Sequence, residues 1–139
     1  MRKKHWWILP VLAILVVLTL IALDERLTLR TYTVASPKLT AEVRLAVVTD
    51  FHSSDNADDV VAMVASCAPD AVLLVGDMFD DDIANRPTER TLSLMRQLSA
   101  LYPCYYVSGN HEAWTGEMDA LYQQTEEAGV MVLRMSSGV

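Results

Sequence analysis

The chain has 139 residues, 52% of them hydrophobic, and a formal net charge of −7. This length allows one domain at most once an apolar N-terminal segment is set aside. A negatively charged chain is a poor electrostatic partner for the phosphate backbone of a nucleic acid, so we expect no nucleic-acid partner.

An uncharged run of eighteen residues, from Trp6 to Leu23, follows a basic N-terminus. As a helix it would be about 27 Å long, close to the roughly 30 Å hydrocarbon core of a bilayer. A cleaved signal peptide is disfavoured because no Ala-x-Ala-like site follows the run, and a buried core helix because the run is apolar all round. We predict a single-pass cell-membrane protein with a cytoplasmic tail (residues 1–5), a transmembrane helix (6–23) and an extracytoplasmic remainder.

Residues 24–42 are a polar connector between this segment and the rest of the chain. Within it, Leu27–Lys38 alternates only in part between polar and apolar residues, which predicts an edge strand that Pro37 ends. The connector leads into Val43–Thr49, whose near-continuous apolar character is typical of a strand buried on both faces.

Strand and helix signals alternate along the remainder of the chain. Three more apolar runs predict strands at Ala71–Val75, Cys104–Val107 and Val130–Leu133. Between the strands, apolar residues at helical spacing predict a helix capped by Ser54, Asp55 or Asn56, one that opens at Pro87, and one over Glu117–Ala128. The second helix presents Leu92, Leu94, Met95, Leu98 and Leu101 on one face. This order predicts an α/β fold with a mostly parallel sheet and flanking helices.

The two cysteines, Cys67 and Cys104, both lie in apolar surroundings of the predicted elements. Two buried thiols are the simpler interpretation. A disulfide is also permitted outside the cytoplasm, and the spacing of the two residues does not decide between these alternatives.

Polar residues follow the first predicted strand at the point where it ends. Asp50 and His52 are two positions apart, so in an extended backbone their side chains point to the same side. Ligands of open α/β sheets bind at the carboxyl ends of the strands. An oxygen and a nitrogen ligand at such an edge suit a divalent metal.

The second strand runs into Gly76 and Asp77, which the parallel sheet brings to the same edge as Asp50. Asp77 has two carboxylate oxygens and is therefore able to bridge two metals. Asp80, three positions on, is spaced for a supporting hydrogen bond, although an ordinary acidic loop remains the alternative. We interpret Asp81 and Asp82 as a solvated acidic loop.

The third strand ends in Gly109, Asn110, His111 and Glu112. Asn110 offers a neutral carbonyl oxygen to a cation, and His111 is a candidate proton donor. An ordinary loop with a stray histidine is the simpler interpretation of this stretch alone. Three consecutive strands that all end in metal-compatible residues favour a metal site instead.

The polar residues after the three strands form three motifs, which are Asp50-x-His52, Gly76-Asp77-x-x-Asp80 and Gly109-Asn110-His111-Glu112. In this order the motifs resemble those of the calcineurin-like metallophosphoesterases, including membrane-anchored bacterial members. The resemblance implies that residues 43–139 form the first half of an α/β/β/α sandwich. It also implies a first metal held by Asp50, His52 and Asp77, with Asp77 bridging to a second metal that Asn110 binds. His111 would then be the proton donor or transition-state stabiliser, oriented by Asp80.

The implied activity is hydrolysis of a phosphomonoester or phosphodiester by a water that two divalent ions (Mn, Fe or Zn) activate. The implied partners are a phosphoester substrate and the bilayer, with lipid-linked or envelope phosphoesters as candidates because of the location. No serine, cysteine or lysine nucleophile is required.

The chain departs from the family pattern beyond its third motif. The pattern continues with a lone histidine and a Gly-His-x-His stretch on a second sheet, whereas the histidines here are His5, His52 and His111. We therefore expect an N-terminal portion of an enzyme that has little or no activity by itself and leaves one sheet face or edge uncovered. The alternative is a membrane-anchored, non-catalytic remnant or interaction protein that binds at most one metal weakly.

Overall fold

The computed structural model describes residues 7–22 and 27–134 and separates two units, Met1–Tyr32 and Thr33–Val139. The first unit contains helix α1 (Ile8–Ala22), which carries no charged residue and exposes large apolar side chains along its length. Among the described residues, no helix has both the length and the apolar character required to cross a membrane. The predicted tail and both ends of the predicted anchor, Trp6 and Leu23, lie outside the described residues.

The second unit is a four-stranded parallel sheet with helices between the strands, in the strand order β1-β2-β3-β4. The strands are β1 (Leu45–Val48), β2 (Ala71–Val75), β3 (Cys104–Val107) and β4 (Met131–Val132). The helices are α2 (Ala57–Ser66), α3 (Thr88–Ser99), α4 (Asn110–Trp114) and α5 (Met118–Glu127). The predicted α/β class and parallel sheet are therefore confirmed.

One face of the sheet forms the hydrophobic core. Val72 pairs with Cys104 and Leu74 with Tyr106, and all four side chains are at most 4% exposed. The predicted apolar face of α3 joins this core through its buried residues Leu92, Leu94, Met95 and Leu98. Leu101 lies beyond the end of α3 and is 57% exposed, so its predicted place on that face is wrong.

The opposite face of the sheet stays largely uncovered within the described residues. Leu45, Val47 and Met131 point to it and are more than half exposed, and Val75 is 40% exposed. The prediction that the first strand is buried on both faces is therefore wrong, because β1 is an edge strand whose alternate residues face solvent.

The structure corrects one further prediction about local structure. Leu27–Lys38 forms no strand, because no described strand pairs with it and an isolated extended segment leaves its backbone groups unpaired. The residues after Gly109, for which an ordinary loop was the alternative interpretation, form the short helix α4. Cys67 is half-buried, Cys104 is buried, and both are free thiols.

Candidate metal centre

The loops that follow β1 and β2 run side by side at the carboxyl edge of the sheet. The backbone N–H groups of Asp50 and His52 donate to the carbonyl oxygens of Gly76 and Asp77, at 3.3 and 3.0 Å. The Gly76 N–H in turn donates to the carbonyl of Val107 at the end of β3, at 2.9 Å. These bonds bring the three strand ends, and the polar residues that follow them, to one place.

The backbone at this edge is left-handed at several non-glycine residues. The φ angles are 55° at Asp50, 47° at His52, 46° at Ser53 and 51° at Asp77, and Gly76 has a φ of 70°. A left-handed non-glycine residue costs about 1 kcal/mol or more, and such strain is common at functional sites. The extended geometry predicted for Asp50 and His52 is wrong, yet the His52 Nε2 and Asp50 Oδ1 atoms still lie 3.9 Å apart.

Three side chains form a metal-compatible group at this edge. His52, Asp77 and His111 each offer one ligand atom, and these atoms all lie within 4.8 Å of one another. The three residues are half-buried, and the two imidazole rings meet edge to face with centroids 4.4 Å apart. Two nitrogens and one carboxylate oxygen in a partly desolvated position fit a divalent transition metal.

The other predicted metal ligands lie at the border of this group. The Asp50 side chain is 62% exposed, and one of its oxygens accepts a hydrogen bond of 2.7 Å from the Thr49 hydroxyl. Asn110 is exposed at the first residue of α4. The structure thus brings His52 and Asp77 together and places His111, predicted as a proton donor, among the metal-compatible residues.

The acidic loop after β2 contacts both histidines, but not as the sequence suggested. His111 Nδ1 makes a 2.8 Å hydrogen bond to Asp81 Oδ1, whereas the sequence predicted Asp80 as the orienting partner of His111. Asp80 Oδ2 lies 3.5 Å from His52 Nδ1 and 3.8 Å from Arg86 Nε. Asp81 is exposed to solvent, as interpreted from the sequence, and it also contacts His111.

Glu112 is a residue of this region to which sequence reasoning assigned no role. Its side chain is fully buried and accepts hydrogen bonds from the backbone N–H groups of Asp77 (3.1 Å), Met78 (2.7 Å), Phe79 (3.0 Å) and Gly109 (2.8 Å). Its position three residues after Gly109, at the start of a helix, was the available signal, because an acidic residue there reaches back to the cap. The carboxylate ties the loop after β2 to the loop after β3.

The charge of Glu112 also acts on Tyr106, which lies in the core on β3. Burial is the larger cause and the Glu112 carboxylate the second, and both raise the pKa of the Tyr106 phenol above its ordinary value. The phenol therefore stays neutral at any working pH of the protein.

Gly109 leaves no room for a side chain next to the site. A Cβ atom there would lie 2.6 Å from the backbone nitrogen of Asp77 and would overlap its carboxylate. Because Gly109 has an ordinary negative φ, the reason for glycine is this close approach and not backbone conformation. The same Asp77 carboxylate accepts a 3.0 Å hydrogen bond from the His111 N–H, which fixes one of its oxygens.

The part of the chain that carries this site matches a known family model, described as calcineurin-like phosphoesterase, over residues 43–136. A protein described as an uncharacterized metallophosphoesterase of Campylobacter jejuni is 27% identical over 90 residues, which are 61% of this chain and 24% of that protein. A Danio rerio protein described as a transmembrane protein with a metallophosphoesterase domain is 26% identical over 102 residues, 68% of this chain and 22% of that protein. The chain thus spans less than a quarter of the length of these curated relatives. It belongs to the calcineurin-like phosphoesterase family.

Proposed function

We propose that this chain carries the metal-binding edge of a phosphoesterase that hydrolyses a phosphomonoester or a phosphodiester. The observation that carries the proposal is the group of His52, Asp77 and His111 at the carboxyl edge of the sheet. Its donor atoms suit Mn, Fe or Zn. When bound, two such cations supply Lewis-acid activation of water and charge neutralisation for an in-line displacement at phosphorus.

The chain's own residues divide into ligands and orienting groups. His52 and Asp77 would hold the first cation together with Asp50, whose Oδ1 atom lies 3.9 Å from His52 Nε2. Asp77 would also be a ligand of the second cation, and Asn110 would contribute its amide oxygen to that cation and to the substrate phosphate. Glu112 keeps Asp77 in place through the backbone N–H bond described above.

His111 is oriented by its hydrogen bond to Asp81. An ionised carboxylate only accepts hydrogen bonds, so the shared hydrogen belongs to His111 Nδ1. The other ring nitrogen, Nε2, is then the atom that is left to meet a cation or to give a proton to the leaving group. Loss of Asp81 should therefore weaken catalysis by misorienting the ring.

The charge of the site determines how the substrate binds. Four carboxylates, of Asp50, Asp77, Asp80 and Asp81, lie next to His52 or His111, and like charges repel the negative oxygens of a phosphoester. Bound dications reverse this local charge. Substrate binding, like the reaction itself, should therefore require the metal ions.

A metal-binding and hydrolysis experiment with Asp77→Asn tests the proposal. We expect the wild-type chain to bind Mn²⁺ or Co²⁺, and Asp77→Asn to weaken binding by more than about tenfold because a ligand is lost. Asp119→Asn, an exposed aspartate on α5, is the matched control and should bind like the wild type. The readouts are isothermal titration for Mn²⁺ and the visible absorption of Co²⁺.

Hydrolysis of bis(para-nitrophenyl) phosphate with Mn²⁺ is the second readout. We expect little or no turnover by the 139-residue chain alone, and metal-dependent turnover by the product of any longer reading frame that contains it. Asp77→Asn should abolish that turnover. A wild-type chain that binds neither cation, or binds it equally well with Asn at position 77, contradicts the proposal.

We also propose that residues 6–23 anchor the protein in the cell membrane, with the N-terminus in the cytoplasm and the catalytic domain outside it. In support, α1 carries no charge and exposes apolar side chains such as Leu12, Leu15 and Leu18. Lipid-linked or envelope phosphoesters are then the accessible substrates. Reporter domains fused after Arg30 should be active only outside the cytoplasm; activity only inside it contradicts this orientation.

A further inference from the structure

Arg86, two residues before α3, reaches His52 by two routes. Its Nη1 atom donates a 3.1 Å hydrogen bond to the backbone carbonyl of His52. Its Nε atom lies 3.8 Å from Asp80 Oδ2, and the same oxygen lies 3.5 Å from His52 Nδ1. One guanidinium therefore contacts the backbone of His52 directly and its imidazole through Asp80.

His52 needs such support because its own backbone is strained. Its φ of 47° places it in the left-handed region, and Ser53, which follows it, is left-handed as well. Arg90 donates a 3.3 Å hydrogen bond to the Ser53 carbonyl, so two arginines at the start of α3 contact two consecutive carbonyls of this loop. A planar guanidinium holds several N–H donors at fixed angles and is therefore able to contact a carbonyl and a carboxylate at once, whereas an ammonium group does not hold its donors in such an arrangement.

The Arg86 side chain is 40% exposed. Arg96, within α3, offers a comparison, because it is 51% exposed and its guanidinium pairs, among the described residues, with Glu89 on the same helix alone. The Arg96 pair is local to one helix, whereas the Arg86 contacts join the loop after β1 to the loop after β2 at the candidate metal centre.

We propose that Arg86 is a positioning residue that holds the His52 imidazole in its metal-binding place through the His52 carbonyl and the Asp80 carboxylate. The predicted effect of Arg86 on metal affinity rests on the proposed function. The predicted effect of Arg86 on the position of the His52 ring does not depend on any metal.

The test compares Arg86→Gln, Arg86→Lys and the control Arg96→Gln in the full chain, purified in one mild detergent. The chain has three histidines, so imidazole-labelled protein gives three sets of ring resonances, assigned through His52→Gln and His111→Gln. Because the His52 ring packs against the His111 ring at 4.4 Å, its chemical shift reports its position. Co²⁺ affinity is measured on the same samples, and circular dichroism verifies that each variant is folded.

We expect Arg86→Gln to shift or broaden the His52 resonances without added metal and to weaken Co²⁺ binding roughly 10–100-fold, as loss of an outer-shell partner does. Arg86→Lys retains one of the two contacts, so its resonance changes and its loss of Co²⁺ affinity should be smaller than those of Arg86→Gln. It also provides the comparison if Arg86→Gln does not fold. Arg96→Gln should change neither the His52 resonances nor the Co²⁺ affinity.

Unchanged His52 resonances in both Arg86 variants, or equal changes in Arg96→Gln, overturn the inference. If the wild type binds no Co²⁺, the proposed function fails, and the ring resonances still decide the role of Arg86.

Discussion

The Glu112 carboxylate is buried and accepts hydrogen bonds from four backbone N–H groups, so no other side chain replaces it equivalently. Glu112→Gln substitutes an NH₂ group for one acceptor oxygen, so it leaves at least one N–H of the neighbouring loops unpaired. We expect a loss of about 3 kcal/mol or more in the free energy of unfolding, measured by urea denaturation.

The matched control for this prediction is Glu89→Gln, which removes an exposed carboxylate on α3 that pairs with Arg96. Exposed ion pairs contribute little, so the urea midpoint should stay close to that of the wild type. Equal stability of the two variants would show that the Glu112 hydrogen bonds do not hold the loops together.

The buried thiol of Cys104 should make the stability of the protein depend on pH. Burial raises the pKa of its thiol to about 11, from an ordinary value of 9.0. The folded protein therefore keeps a proton that the unfolded chain loses above about pH 9, so Cys104 should lower the stability as the pH rises from about 9 to 11. The decline should be smaller in Cys104→Ala, measured by urea denaturation at several pH values.

Alkylation provides a second measure of the same thiol. Only the thiolate is nucleophilic, and Cys104 is 4% exposed, so iodoacetamide at about pH 8.5 should modify Cys67 first in the folded protein. Mass spectrometry should find the second adduct only after unfolding. Equal modification rates of the two cysteines in the folded protein would contradict the assigned burial.

At the scale of elements, a pair of buried hydroxyls fastens α3 to the loops of the site. Thr91 Oγ1 donates to the Met78 carbonyl at 2.9 Å and lies 3.0 Å from the buried Ser53 hydroxyl. Thr91→Val keeps the shape but removes these bonds, so we expect a loss of about 1–2 kcal/mol in the free energy of unfolding.

Thr125 on α5 is the matched control, since it is also fully buried in a helix. Its hydroxyl has no hydrogen-bond partner among the residues that the structure describes. Thr125→Val should therefore be neutral or stabilising in the same urea experiment. A Thr125→Val loss as large as that of Thr91→Val would mean that volume and not hydrogen bonding explains both.

At the scale of the whole molecule, the uncovered sheet face is an apolar surface that favours association between copies of the chain. Val47 lies on this face and is 60% exposed, and edge strands with apolar faces promote association. We expect Val47→Lys to reduce the concentration-dependent light scattering of the chain. Leu101→Lys adds the same charge at a similarly exposed apolar residue away from the sheet and should reduce scattering less. Equal reductions of light scattering in the two variants would show that the added positive charge, and not the sheet face, controls the association.

The order of elements was predictable from the sequence, and the reason is local. The strands at Ala71–Val75 and Cys104–Val107 match the predicted bounds, because short apolar runs between turn residues and prolines specify them within a few residues. The helix α3 likewise begins directly after Pro87. Leu27–Lys38 failed as a strand because strand formation also needs a partner, which no local pattern reveals.

The candidate site was predictable as a location but not as a set of contacts. By itself, the sequence determined that polar residues follow three parallel strands, and hence that His52, Asp77 and His111 share one edge. Only the tertiary structure decided that Asp81 and not Asp80 bonds His111, and that Glu112 joins two loops. These contacts join residues about thirty positions apart through left-handed loops, so they depend on backbone turns that short-range periodicity does not encode.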